Sequence, residues 1–591
     1  MMCPLRQNPR SSTAKKQQKP RRIEGEMVNT KGENIGKNKI SRRAFLAAGA
    51  MAAPVAARAL AEPDNASGAL GAPAIVKGVR KRNVLFISTD DMCNRLGCYD
   101  VPVVKSPNLD RLAHSGVRFD QHYCQFPLCG PSRTSLMTGF APDTTKVWDL
   151  NTDFRDTVPQ AVTIPQLFLK NGYFTARTGK IYHYNNPSEI GTPGFDDAAS
   201  WQCTSNPAGF DRTHDEGLVA FFSPPERMYK QFGLGNRQAG AQKTGTMPTP
   251  QRSASGFPWL HGGMGPSGIR IAQDGRTPVL PFSENGDLGI ALAGHPSEGD
   301  DKVITDYMAA ESAIAMVEEH KDQPWFIGAG FFRPHVPFIV PSKYYDMYRS
   351  EEMQIPPFDL SELTIAPHVA YTSQDPNYGM TPQQHRECLR GYYAAISFVD
   401  AQVGRLLDAL ERLDLAKDTT IVFWSDHGFM VGEHGQWEKT MLFEPSVRVP
   451  FIISGAGVTA ARKGCKRTSE HLNIYPTLVE ICDLKGAPTN LHGRSLVPLL
   501  QNPDAPWDHP AISQVTRRSG SGLTMGYSLR TERYRYTMWA GGAEGEELYD
   551  YDTDPRELKN LANDLAASGL KGKLRARLEE ISRTRGMAAP A

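Results

Sequence analysis

The residues in this chain whose types and spacing speak most directly of chemistry are Cys129-Gly130-Pro131-Ser132-Arg133, continuing as Thr134-Ser135-Leu136-Met137-Thr138-Gly139. Pro131 stands where a first-turn proline belongs and Gly139 where a helix stops, so the spacing predicts a helix with Cys129 at its N-terminus. Unpaired backbone N–H groups and the helix dipole favour an anion there. Arg133, one turn on, can point the same way and add a planar cation suited to a tetrahedral oxyanion. Two further pairs carry metal-type chemistry. Asp90-Asp91 and Asp426-His427 each end an apolar run, and adjacent carboxylates repel unless a cation sits between them. His335, between Pro334 and Pro337, is rigidly aimed, as a proton donor must be; taken alone, such a histidine more often fills a hydrogen-bonded structural place.

The elements that must position these groups are legible as apolar runs. Asn83–Ser88, Pro324–Gly330 and Thr420–Ser425 are continuous and of strand length, the pattern of strands buried on both faces, and ligands of α/β sheets gather at the carboxyl ends of such strands. Strands are also expected at 117–123 and 448–453. Helical spacing is expected at 106–114, 164–171, 303–320 and from Thr381-Pro382 toward Leu413, the last with Leu389, Tyr392, Tyr393, Ile396 and Val399 on its buried side. Between 185 and 299 Gly and Pro rise and periodicity fades, which reads as long functional loops walling a pocket. The fold class is therefore α/β.

Cys-x-Pro-Ser-Arg at 129–133 resembles the signature of the type I sulfatases. Gly172-Tyr173-Phe174-Thr175-Ala176-Arg177-Thr178-Gly179-Lys180-Ile181-Tyr182-His183 resembles their second signature. Ordered motifs similar to that family run from about Asn83 to Leu561. Arg333-Pro334-His335-Val336-Pro337-Phe338 and Ser425-Asp426-His427-Gly428 look most like iduronate-2-sulfatase-like members. The resemblance implies an alkaline-phosphatase/sulfatase-like large mixed sheet flanked by helices, with a smaller C-terminal α+β subdomain. It divides the chain into a catalytic domain at 80–508 and that subdomain at 509–588. It further implies that Cys129 is oxidised to formylglycine by a formylglycine-generating enzyme, and that Asp90, Asp91, Cys129, Asp426 and His427 surround one divalent cation. Calcium is expected, although the imidazole at 427 suits Mn²⁺ or Zn²⁺, and Mg²⁺ stays open. Lys439 is implied as a contact to the sulfate and Lys180 as the group that steadies the nucleophile's hydroxylate, with Arg133 and both lysines taking the remaining negative charge, His183 as the base that regenerates the aldehyde and His335 as the leaving-group acid. The implied substrate is a sulfated saccharide. Phosphonate or phosphate ester hydrolysis, or glycan binding without turnover if Cys129 stays a thiol, are the other readings.

At 591 residues, 22% charged and 40% hydrophobic, the composition is that of a globular chain with room for two domains. Residues 1–61 hold 13 Lys+Arg against 3 Asp+Glu, a net +10, leaving 53 against 61, a net −8, for the remainder. A mildly acidic body argues against nucleic acid as partner. Ser41-Arg42-Arg43-Ala44-Phe45-Leu46, the alanine-rich run after it and Ala59-Leu60-Ala61 read as a twin-arginine leader at 1–61, with Met27 an alternative start. That leader points to twin-arginine export into a periplasm or out of the cell, and no run of about 20 apolar residues is long enough to anchor the mature chain. Nine cysteines, one of them Cys3 in the leader, leave an odd number once Cys129 is converted, so this is no disulfide scaffold; Cys93 with Cys98, or Cys465 with Cys482, could pair.

Overall fold

The computed structural model describes residues 81–187, 189–212, 220–222, 270–271, 278–279, 292–519 and 522–587. The expected leader, and much of the 185–299 stretch, lie outside the described residues. Eight strands build the main sheet: β1 (Asn83–Asp90), β2 (Gly116–Tyr123), β3 (Phe174–Gly179), β4 (Cys203–Ser205), β5 (Trp325–Pro334), β6 (Thr419–Ser425), β7 (Phe451–Gly455) and β8 (Lys463–Glu470). Their order is β8-β2-β7-β6-β1-β5-β3-β4. Only β7 runs against its neighbours, so the carboxyl ends of the other seven share one edge of the sheet.

The alternation of side chains along a strand explains why β1 is apolar throughout. Leu85 and Ile87 join one core with the long helix Pro382–Arg412, while Val84 and Phe86 join another with the helices Ile164–Lys170 and Ile474–Ile481. Full burial of each such side chain contributes roughly 1.5–3 kcal/mol, so both layers of helices hold the central strand in register. Thr381 caps the long helix reciprocally with Gln384, and Leu389, Tyr392, Tyr393, Ile396 and Val399 are buried as their spacing predicts. The strand expected at 448–453 begins only at Phe451. Pro450 has no N–H to give a ladder, and Arg448 makes an isolated bridge to Tyr123 instead.

A four-stranded antiparallel sheet follows: β9 (Ala511–Ser519), β10 (Gly522–Arg530), β11 (Tyr534–Trp539) and β12 (Glu546–Asp550), with the helix Ser568–Thr584 packed on it through Leu574 and Leu578. It is fastened to the loop before Cys129, where Gln514 N–H donates to Gln125 O at 2.8 Å and Ser513 Oγ to Cys124 O at 2.6 Å. A buried ion pair, Arg585 Nη2 to Glu470 Oε1 at 2.5 Å, ties the chain's end to β8.

Neither of the two possible disulfides forms. Cys93, Cys98, Cys465 and Cys482 are all free thiols. Cys93 packs under the Tyr392 hydroxyl and Cys465 Sγ reaches the Pro503 carbonyl, so neither faces its proposed partner. Among the described residues no helix is long and apolar enough to cross a membrane.

Candidate active site

Five parallel strands deliver the site to one edge of the sheet. β1 ends in Asp90, and Asp91 takes a left-handed turn (φ 64°) that folds its carboxylate back inward. β6 leads into Asp426-His427, β3 into Lys180, β5 into His335, and β2 into the loop that opens the helix Cys129–Thr138. That helix begins at Cys129 and ends at left-handed Gly139 (φ 74°), as its punctuation predicts. Gly130 is obligatory, since a Cβ there would sit 2.8 Å from the Asp149 carbonyl.

Cys129 is 1% exposed, and its Sγ lies 3.3 Å from Asp90 Oδ1, 3.3 Å from His427 Nε2 and 3.4 Å from Lys439 Nζ. Lys439 Nζ also donates to Asp91 Oδ1 at 2.6 Å, and Lys180 Nζ to Asp90 Oδ2 at 2.5 Å. Lys439 is held between two left-handed non-glycine residues, Glu438 and Thr440, both at φ 69°, a strain that persists only where surrounding structure enforces it. Burial would lower the Lys439 ammonium, but Asp91 and its neighbours keep it well above the usual range, so it stays charged. Burial raises the Cys129 thiol, and the Asp90 carboxylate adds to that, so the unmodified side chain is a protonated, weak nucleophile.

Arg133 takes a different setting from the sulfate-facing one its spacing suggests. It is fully buried beneath the site. Nε donates to Asp426 Oδ2 at 2.9 Å, Nη1 to the carbonyls of Lys180 (2.7 Å) and Ile181 (3.1 Å), and Nη2 to Thr89 O (3.1 Å) and Asp90 Oδ1 (3.5 Å). The indole of Trp424 lies 5.5 Å from the guanidinium. Every donor is committed, so Arg133 ties three strand tips together.

The donor set fits a divalent cation. Asp90, Cys129, Asp426 and His427 place one ligand atom each within 4.8 Å of one another, as do Asp90, Asp91, Cys129 and His335. His427 Nδ1 lies 2.9 Å from the Gly428 carbonyl, which can only accept, so Nδ1 carries the proton and Nε2 presents a lone pair. That lone pair faces Asp91 Oδ1 at 3.2 Å and Asp426 Oδ2 at 3.6 Å. Burial lowers His427 to about 4, so no proton relieves this repulsion. Burial raises Asp91 to about 7, and its Oδ2 accepts no hydrogen bond. A cation among these atoms answers all three problems. The three carboxylates meet three protein cations, Arg133, Lys180 and Lys439, so a divalent ion would turn the site positive, which suits a sulfate ester with its single negative charge.

Of the two remaining histidines, His335 borders the cation site and His183 stands apart from it. His335 Nε2 is 3.7 Å from Asp91 Oδ2, and Nδ1 donates to Val336 O at 2.6 Å. Its loop is fixed by Asp306, which accepts from the N–H groups of Phe332 and Arg333, and by the Arg333–Asp211 pair at 3.0 Å. His183 is not drawn into the cluster. It lies across a small cavity from Gly130, flanked by Phe195, with neither ring nitrogen hydrogen-bonded. Burial and the nearby Lys180 hold it well below the usual range, so it is a neutral imidazole with a free lone pair. Sequence reasoning missed three supports: Tyr392 OH donates to Asp91 O at 2.8 Å, Ser132 Oγ to Asp426 O at 2.5 Å, and His471 Nε2 lies 3.2 Å from that carbonyl. The helical spacing marked Tyr392 as core but could not say what its hydroxyl meets, and nothing local marks His471.

The comparisons with known proteins agree with this geometry. The sulfatase family model matches residues 82–484, and a model described as N-sulphoglucosamine sulphohydrolase, C-terminal, matches 432–584. A sulfatase of Formosa agariphila is 30% identical over 86% of this chain and 89% of its own length. Human iduronate 2-sulfatase is 30% identical over 82% of this chain and 91% of its own. In fold the chain also resembles the phosphonate monoester hydrolase of Agrobacterium radiobacter, with a TM-score of 0.60 and 21% identity over 85% of this chain and 96% of that one. The chain belongs to the sulfatase family, hydrolases of sulfate esters.

Proposed function

We propose that this sulfatase removes sulfate from a sulfated saccharide, in the manner of the iduronate 2-sulfatases it resembles, with Cys129 converted to formylglycine. The observation that carries the reading is the position of Cys129, at a helix N-terminus and within 3.4 Å of Asp90, His427 and Lys439. As a thiol it would form a stable thiosulfate adduct rather than turn over. Oxidised by a formylglycine-generating enzyme, Cys129 would offer a hydrated aldehyde, one hydroxyl to attack sulfur and the other to expel sulfate when deprotonated. Asp90, Asp91, Asp426 and His427 would hold the divalent cation, read here as Ca²⁺ on the three carboxylates, which would supply Lewis-acid polarisation of a sulfate oxygen.

The protein's own groups then divide the work. Lys439 and Lys180 stabilise negative charge at the sulfate, each such preorganised donor being worth about 3–4 kcal/mol in a transition state. His183, neutral and unpartnered, accepts the proton of the second hydroxyl. His335, its Nδ1 pinned to Val336, offers Nε2 to the leaving alcohol; burial and Lys439 hold it well below the usual range, so it is neutral in the free site and the proton it gives has to be taken up with the substrate bound. Arg133 positions Asp426 and Asp90. The leader reading adds twin-arginine export, of a chain modified and folded beforehand, to a periplasm or the exterior. The catalytic domain takes up 80–508 and the smaller subdomain 509–588.

A panel of defined sulfated saccharides, run beside a phosphonate monoester, tests the reading. Sulfate release from a saccharide, lost in Cys129→Ala, supports it. Faster turnover of the phosphonate favours the second reading, which the likeness in fold to the phosphonate monoester hydrolase motivates. Tight saccharide binding with no sulfate released by the wild type would leave the glycan-binding reading.

A further inference from the structure

The geometry points to a second anion subsite at Arg517, which takes a carboxylate or a further sulfate ester carried by the same saccharide. It rests on the sulfatase reading only for where the reacting sulfate sits. Arg517 is on β9, and its Nη1 donates to its neighbour's carbonyl, Thr516 O, at 3.2 Å. Its Nη2 donates to Thr440 O, and its Nε is buried without a partner. No described carboxylate ion-pairs with it. The buried arginines Arg133, Arg177, Arg333 and Arg535 each meet an acid, at Asp426, Asp196, Asp211 and Glu444. A guanidinium partly withdrawn from water without a counter-charge is costly, and an anionic ligand would supply the missing charge. Burial lowers its pKa to about 10, in keeping with a charge left uncompensated.

The place is as informative as the charge. Arg517 is partly accessible, with the Trp539 ring 5.9 Å from the guanidinium on one side. The carbonyl it touches belongs to Thr440, the residue after Lys439, and Thr440 N–H donates to Pro127 O at 3.0 Å, two residues before Cys129. One short piece of backbone thus joins Arg517, Lys439 and the nucleophile. A saccharide whose sulfate rests at Lys439 would bring a substituent of the same or the adjoining ring toward Arg517. The planar fork suits a bidentate carboxylate or sulfate better than a point charge would.

The alternative role is a purely structural prop for the Thr440 carbonyl. Arg517→Gln keeps a donor for that carbonyl and removes the charge, whereas Arg517→Lys keeps the charge and removes the fork. Both are assayed on three matched saccharide sulfates: one otherwise neutral, one with a carboxylate and one with a second sulfate. R517Q is expected to lose roughly 10- to 100-fold in kcat/KM, mostly through KM, on one or both anionic substrates relative to the neutral one, the range of a hydrogen bond to a charged group. R517K should recover part of that loss. The substrate affected identifies the anion. An equal loss on all three substrates overturns the subsite. The same saccharides titrated by calorimetry into Cys129→Ala and into Cys129→Ala with Arg517→Gln decide the subsite without turnover. Weaker binding of the acidic saccharides alone upholds it even if the wild type releases no sulfate, a result that would sink the sulfatase reading instead. Unchanged affinity in the double variant overturns it.

Discussion

Replacing Arg133 by alanine separates a residue that holds the site together from one that touches substrate. Its guanidinium is fully buried and spends its donors on Asp426, Asp90 and the carbonyls of Thr89, Lys180 and Ile181. Removing one partner of a buried ion pair costs about 3–5 kcal/mol, because the remaining charge stays buried. Each orphaned carbonyl adds a penalty of roughly 1–3 kcal/mol where water cannot reach it, and such terms do not simply add. The expected loss is therefore at least about 3 kcal/mol, a large part of the 5–15 kcal/mol by which folded domains are usually stable. Arg133→Lys keeps a charge beside Asp426 but not the contacts to three strand tips, and should fall between wild type and alanine. Guanidinium unfolding followed by tryptophan fluorescence, with KM for a sulfate ester measured in parallel, reads both effects. An Arg133→Ala protein that unfolds at the wild-type denaturant midpoint while its KM rises would refute this placement and restore the sulfate-facing role suggested by helical spacing.

Cys129→Ala should abolish sulfate release and leave the unfolding transition in place, since the thiol's contacts are to side chains that keep other partners; substantial residual turnover refutes the nucleophile assignment. Lys439→Ala should lower kcat by about 10²–10³, the effect of removing one preorganised donor, and a change confined to KM would show that it binds ground state and transition state alike. Chelation should abolish activity and lower the melting temperature together, with Ca²⁺ restoring both; recovery with Mn²⁺ or Zn²⁺ but not Ca²⁺ would show that the imidazole at 427 dictates the metal. Burial pushes the Glu470 carboxyl up, but Arg585 and His509 outweigh it and bring it down to about 2. Its folded value lies below the unfolded one, so its contribution is full above about pH 4.5 and is lost as pH falls toward 2, roughly 3 kcal/mol in all. In Glu470→Gln that part of the acid dependence should disappear from denaturant midpoints measured between pH 5 and 3, and an unchanged slope would contradict it.

β1, β5 and β6 were legible because they are buried on both faces and therefore continuously apolar, and the groups at their ends are polar where the run stops. Asp90, Asp426 and His335 could be placed at a common edge on that ground alone. The helix at Cys129 was legible from Pro131 and Gly139, whose backbone preferences act locally. What the helix period could not supply was the direction of Arg133: a residue one turn from an N-terminus can lie over it or beneath it, and here the packing of Trp424 and three strand tips places it beneath. Thiol pairing failed for a related reason, since spacing says nothing about which way Cys93 and Cys98 face. His471 meets the Asp426 carbonyl from β8's end and Arg517 meets the Thr440 carbonyl from the C-terminal sheet, across tens of residues and from separate elements, and such an approach leaves no periodic trace. β3 and β8 were missed because charged and polar residues break up their runs, and β4 because three residues are too few to show alternation.

The mass of the peptide spanning residues 124–135, taken from enzyme that is actively releasing sulfate, bears most directly on the chemistry assigned to Cys129. The expected peptide is lighter than the encoded one by a sulfur and two hydrogens less one oxygen, in proportion to specific activity across preparations. Full activity in a preparation whose peptide carries only intact cysteine would contradict the account.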